Sequence, residues 1–143
     1  MKKYEWNALS AMGGKCLEVK DGYARFELAL TDELKQPTGV FHAGVIVTLA
    51  DEAASAAIYG CSIKDENFQP EPGKKFPYSV QLSVNLLTND PVGPITAESK
   101  VVRRGRLTVV DTVVRNCEGL DMALMRSTHM MVDASKVGPH LKK

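Results

Sequence analysis

The chain reads as an α+β domain in which an antiparallel sheet wraps one long central helix. Three observations predict this. Residues 39–60, GVFHAGVIVTLADEAASAAIYG, form one long and almost wholly apolar segment of helical length. Four strand-like runs fill the second half, each separated from the next by a turn. A further pair of alternating runs flanks Asp21-Gly22, a strong hairpin turn. One helix must then cover a whole sheet, so one sheet face wraps it and the other meets water or another subunit.

The elements follow in order. Trp6, Leu9 and Met12 recur at helical spacing and predict a short helix that ends at Gly13-Gly14. Residues 16–20 and 23–30 alternate as strands. A loop through Gln36-Pro37-Thr38-Gly39 leads into the apolar helix. Residues 60–77, with Pro70, Pro72, Gly73 and the Lys74-Lys75 pair, read as a connection that is long for a compact domain. Strands then run from Tyr78 to Leu87, Ile95 to Arg103, Leu107 to Arg115 and Met122 to Val132, and their short turns imply an antiparallel meander. At 143 residues the whole chain, 1–143, is expected to be a single domain with a core large enough to need no disulfide or structural metal.

Composition narrows the function. A net charge of +1 gives no global pull toward nucleic acid, and none is expected as a partner. The N-terminus lacks the apolar core of a signal peptide. The longest apolar segment is broken by Asp51 and Glu52, so no membrane span is expected and a cytoplasmic location is. Cys16, Cys61 and Cys117 are too few and too scattered for a disulfide framework or a CxxC motif, and read as reduced structural residues. His42, His129 and His140 are likewise too scattered to suggest a metal site.

The informative residues lie on the helix. Gly44, Thr48, Asp51 and Ser55 recur three or four apart and make a narrow polar stripe on a greasy cylinder, with Glu52 and Tyr59 along its edge. The segment holds no Lys or Arg to pair with either acid. Two accounts of the stripe stand: Asp51 works as an active carboxylate, or it is structural, either accepting hydrogen bonds from Thr48 or Ser55 or carried partly out by a Glu52 that faces solvent. His42-Ala43-Gly44 sits at the expected helix start, where backbone N–H groups lack partners and the dipole is positive. Such a terminus can stabilise an oxyanion, or can use small residues only for a tight turn. His42 by itself reads equally as a structural hydrogen bonder.

Residues 36–44, QPTGVFHAG, followed by Leu49-Ala50-Asp51, resemble the signature of hotdog-fold acyl-CoA thioesterases, of the phenylacetate-pathway and 4-hydroxybenzoyl-CoA types. His42 and Asp51 keep that family's nine-residue spacing. The runs 83–87, 93–97 and 101–106 resemble its strand pattern, so the likeness extends from about Leu17 to Val132. It implies a hotdog fold that hydrolyses an acyl-CoA thioester to free acid and coenzyme A. No separate cofactor is implied, since coenzyme A is part of the substrate. Carried over residue by residue, Asp51 is the catalytic carboxylate, as nucleophile or as general base. Gln36 orients the thioester or the attacking water, the Ala43 N–H beside Gly44 polarises the carbonyl, Ser55 assists the water, and His42 holds the substrate end of the loop. The resemblance also implies a homodimer, extended to a dimer of dimers, with each site drawing the acid from one chain and other groups from its neighbour.

Two departures stand out. The family's His-Gly-Gly is His-Ala-Gly here, so the oxyanion role requires that Ala43 not adopt a positive φ. The 60–77 connection prevents transfer of acyl-pocket residues. Phe41, Tyr59, Phe68 and Phe76 flank the motif and read as core.

The chemistry needs little machinery, because a thiol leaving group with a pKa of about 8.5 requires no strong general acid. Arg103, Arg104 and Arg106 at a strand turn are the candidates for the phosphates of coenzyme A, against a plain solvated turn. A hotdog dehydratase would need a His about five residues after the acid, and residue 56 is Ala. A non-catalytic acyl-CoA binding or sensing protein is the competing class.

Overall fold

The computed structural model describes residues 7–60 and 75–133. A short helix α1 (Asn7–Ala11) precedes strands β1 (Lys15–Lys20) and β2 (Tyr23–Leu28), joined by the tight turn at Asp21-Gly22. A 3-10 turn (Asp32–Leu34) leads to the long helix α2 (Ala43–Tyr59), and β3 (Lys75–Leu86), β4 (Ile95–Arg103), β5 (Leu107–Arg115) and β6 (Asp121–Asp133) follow. The connection read over 60–77 is outside the described residues from 61 to 74, with Cys61, Phe68 and Lys74. Trp6 and His140 are outside them too.

The six strands form one antiparallel sheet in the order β1-β2-β4-β5-β6-β3. The predicted meander therefore holds only for β4-β5-β6. Strand β3 skips its successor and pairs with β6 along its whole length, from Lys75↔Asp133 to Leu86↔Ala123. Its sequence agrees with an edge position, since Pro77 cannot donate to a second neighbour. The β3–β4 loop crosses the end of the sheet, and this crossing brings it against the residues that precede α2.

Helix α2 lies in the concave face. Its buried side is unusually small: Ala50, Ala53, Ala54, Ala56 and Ala57, with Ile46, Leu49 and Ile58 as the larger members. Small residues let the sheet close around the helix, and larger ones fill the sheet side: Phe26, Leu28, Ile95, Val110, Val114 and Met125. The helix C-terminus is firmly held. Gly60 caps it in the left-handed region (φ 74°), and Gly22 N–H donates to Ala57 O at 2.9 Å. Arg104 reaches Ile58 O while paired with Asp21. Among the described residues no helix is long and apolar enough to cross a membrane.

Candidate active site at the start and middle of α2

The first four residues of the apolar segment, Gly39–His42, are not helical. They close a small hairpin with Leu34–Gln36: Gln36 N–H donates to Val40 O (2.9 Å), Gly39 N–H to Gln36 O (2.9 Å), and His42 N–H to Leu34 O (2.9 Å). Gly39 takes φ 87°, which the turn requires and which a side chain would resist. Gln36 is half-buried, and its Nε2 donates to Thr38 Oγ1 within the same turn (2.7 Å).

His42 is the N-cap of α2. Its exposed ring accepts the Gly44 N–H on Nδ1 at 2.9 Å. The structure thus gives His42 the hydrogen-bonding role left open by its sequence. Gly44 explains itself at the same point, because a Cβ there would lie 3.1 Å from His42 Nδ1. His42 O accepts from Val45 and Ile46, so the Ala43 N–H is the first orphan donor of the helix, with no partner among the described residues. Among the described residues no non-glycine residue has a positive φ, so alanine in place of the usual glycine brings no strain at position 43.

Two turns further on, Asp51 does not accept from Thr48 or Ser55. Thr48 Oγ1 bonds back to Gly44 O (2.8 Å), and Ser55 is buried one turn beyond. Asp51 Oδ1 accepts instead from Ser79 Oγ of strand β3, at 2.5 Å. Ser79 Oγ lies 3.3 Å from His129 Nδ1, and His129 Nε2 lies 2.8 Å from Ser127 Oγ. One orientation satisfies all three contacts: Ser127 donates to Nε2, Nδ1–H donates to Ser79, and Ser79 donates to Asp51. His129 is fully buried, and burial holds its pKa below the usual imidazole value against the opposing pull of the Asp51 charge.

Glu52 behaves differently from its neighbour. Desolvation, and then the charge of Asp51, push its pKa up to about 7, and its buried Oε2 has no partner among the described residues. It is therefore not the solvated acid that one account of the stripe supposed.

Sequence reasoning missed Ser79 and His129: β6 carries His129 to within one hydroxyl of Asp51. A signal existed. Ala123, Met125, Ser127 and His129 share the inward parity of β6, so two polar side chains stand where a sheet wrapped on a helix wants apolar ones. Among the described residues no group of three or more His, Cys, Asp or Glu is placed to hold a metal ion. Of the arginines at the β4–β5 turn, Arg104 is engaged in holding Asp21 and the end of α2, whereas Arg103 and Arg106 are exposed with no ion pair among the described residues.

One long helix packed on a six-stranded antiparallel sheet is the hotdog fold. The thioesterase superfamily matches residues 38–117, more than half of the chain, and the chain belongs to that superfamily. Among curated proteins it is similar to a 1,4-dihydroxy-2-naphthoyl-CoA hydrolase of Listeria monocytogenes, 27% identical over 99 residues that cover 69% of this chain and 73% of that one. Solved structures with the same fold include a Staphylococcus aureus thioesterase, seen in separate Glu→Ala and Gln→Ala variants (TM-score 0.76, 22% identity, 87% of this chain and 98% of that one). Another is a Streptococcus mutans protein bound to acetyl CoA (TM-score 0.71, 20% identity, 84% and 89% covered).

Proposed function

We propose that this thioesterase hydrolyses an acyl-CoA, with Asp51 as the working carboxylate and the Ala43 N–H as the oxyanion donor. The observation that carries the reading is the pairing of an orphan donor at the start of α2 with a carboxylate on the same helix held by Ser79. Charge developing on the thioester oxygen is met by an N–H that needs no reorganisation to receive it. Asp51 then attacks the carbonyl carbon directly, releasing coenzyme A thiolate and leaving an anhydride for water to open, or it takes a proton from the attacking water. Ser79 holds one carboxylate oxygen and leaves the other for this work. In the S. aureus thioesterase the two substituted positions are fifteen apart, and Gln36 and Asp51 are separated alike, which supports Gln36 as the amide that orients substrate or water. Ser55, buried one turn past Asp51, is the hydroxyl assigned to assist that water in this reading. Of the three arginines at the β4–β5 turn, Arg103 and Arg106 have no ion pair among the described residues and are the candidates for the phosphates.

The same distances call for a second chain. Ala43 and Asp51 are eight residues apart on one helix, an axial separation of about 12 Å. A donor about 3 Å from the carbonyl oxygen and a carboxylate about 3 Å from its carbon span roughly 7 Å at most. One chain therefore cannot present both to one carbonyl. A two-fold partner whose α2 runs antiparallel sets the start of one helix beside the middle of the other. Strand β3 offers the surface for it: α2 meets this edge strand at Phe76 and Ser79, whereas Leu82 and Leu86, further along on the helix side, remain 38% and 49% exposed. The dimer proposed joins these edges, and a dimer of dimers would use the outer sheet face.

Thiol release from a panel of short, medium, long and aromatic acyl-CoAs tests the reading. Wild type turns over at least one class, and Asp51→Asn loses at least about a thousandfold in kcat with its fold intact. Binding of the esters without turnover by wild type would instead favour an acyl-CoA binding or sensing protein.

A further inference from the structure

The crossing loop between β3 and β4 places a side-chain amide against the backbone that leads into α2. Asn89 Nδ2 donates to Phe41 O at 2.9 Å, while Asn89 Oδ1 accepts from Phe41 N–H at 3.1 Å and from Asp90 N–H at 2.8 Å. The assignment of the amide is unambiguous, since the flipped group would set its NH2 against two N–H donors. Asn89 thus stands in for the neighbouring strand that Phe41 lacks on that side, presenting a donor and an acceptor side by side as a peptide unit would. On its other side Phe41 bridges Lys35, and its ring is fully buried.

The amide is itself held. The next residue, Asp90, is almost fully buried and accepts Val92 N–H (2.7 Å), Gly93 N–H (2.7 Å) and Cys117 N–H (2.6 Å). Burial alone would raise its pKa, but these donors outweigh burial and keep the carboxyl below its usual value, as a group that serves as a fixed anion must be. The Asn89-Asp90 pair therefore ties three segments together: the hairpin before α2, the crossing loop, and the β5–β6 turn. Phe41 is two residues from the Ala43 N–H and closes the hairpin that carries Gln36.

We infer that Asn89 is a positioning residue for hydrolysis, whose amide clamps the Phe41 peptide groups and thereby aims the Ala43 N–H and Gln36 at the thioester carbonyl. The inference rests on the roles proposed above for Ala43 and Gln36. Asn89 touches neither group, and acts by fixing the backbone between them. An oxyanion donor works only if it is already aimed, and a displacement of about 1 Å can cost about a hundredfold in rate. Alanine at position 89 removes both clamping bonds and leaves the Phe41 N–H and C=O facing a gap. Aspartate keeps an acceptor for the N–H but sets a negative oxygen against Phe41 O.

The test is steady-state kinetics and thermal melting of wild type, Asn89→Ala, Asn89→Asp, Gln36→Ala, Asp51→Asn and the Asn89→Ala/Gln36→Ala double variant, on the best ester of the panel. Asn89→Ala and Asn89→Asp are expected to lower kcat about 10- to 100-fold with KM within about threefold of wild type. The double variant is expected to lose less than the product of the single losses, because both act through one hairpin. The ratio of Asn89→Asp to wild-type kcat should rise as pH falls and the introduced carboxyl regains a proton to donate to Phe41 O. Kcat within twofold of wild type in folded Asn89→Ala, with Asp51→Asn inactive, would overturn the clamp and leave the thioesterase reading standing. So would losses that merely follow the folded fraction, with no recovery of Asn89→Asp at low pH. A wild-type enzyme silent on every ester would overturn both. Should Asn89→Ala not fold, Asn89→Asp and its pH ratio decide alone.

Discussion

Two adjacent acids on one helix meet opposite environments. Asp51 is received by a hydroxyl, whereas the buried Oε2 of Glu52 meets no partner among the described residues, and so its charged form is the costly one. The sign follows from the raised pKa. Below about pH 4.5 Glu52 is protonated whether the chain is folded or not, and it leaves stability unaffected by pH. Between there and about pH 7 the unfolded chain releases the proton that the folded chain keeps, so stability falls as pH rises. Glu52→Gln is expected to melt like wild type near pH 4.5 and to be more stable at pH 8, by about 1–2 kcal/mol after allowance for the part of the group that water reaches. Urea unfolding at the two pH values checks it. Turnover of the same variant should change little, because the hydroxyl of Ser79 selects Asp51.

At the scale of the element, α2 is built to be approached. Its alanines would be read in isolation as helix formers, but their burial gives them a second task, letting the sheet curve close around the axis. Ala53 is fully buried, so Ala53→Leu forces three extra carbons into a packed layer and should cost about 1–3 kcal/mol, read as a lower urea midpoint at unchanged m-value. The two ends of the helix are handled differently. Gly22, Gly60 and Arg104 satisfy the C-terminus from within the chain, while at the N-terminus His42 caps Gly44 and the Ala43 N–H meets no partner among the described residues. This asymmetry was only half legible beforehand. Small residues and a His at a helix start announce a possible anion site, yet the cap and the free donor are told apart only by which N–H the imidazole meets.

For the whole molecule, the proposed pairing of chains makes a further demand on the edge strand. Leu82→Glu sets a charge on the helix side of β3 and should shift the protein toward monomer in sedimentation velocity, with turnover lost in step. Mixing the inactive variants Asp51→Asn and Gln36→Ala, and allowing subunits to exchange, should restore measurable activity if each site takes these groups from different chains. Persistent inactivity of the exchanged mixture would place both groups of a site in one chain.

What the linear order of residues determined is what depends on neighbours along the chain. Periodicity near 3.6 and near 2 marked the helix and the strands, Asp21-Gly22 marked the hairpin, and the motif from Gln36 to Asp51 marked the superfamily. What only the tertiary structure decided is which distant segments meet. The pairing of β3 with β6 in place of β4 is such a choice, and it sets the crossing loop against Phe41 and Cys117. Ser79, Asn89 and His129 gain their places from it. A side chain's partners across a sheet or a loop crossing are set by the register of strands far apart in sequence, and no local pattern encodes that register.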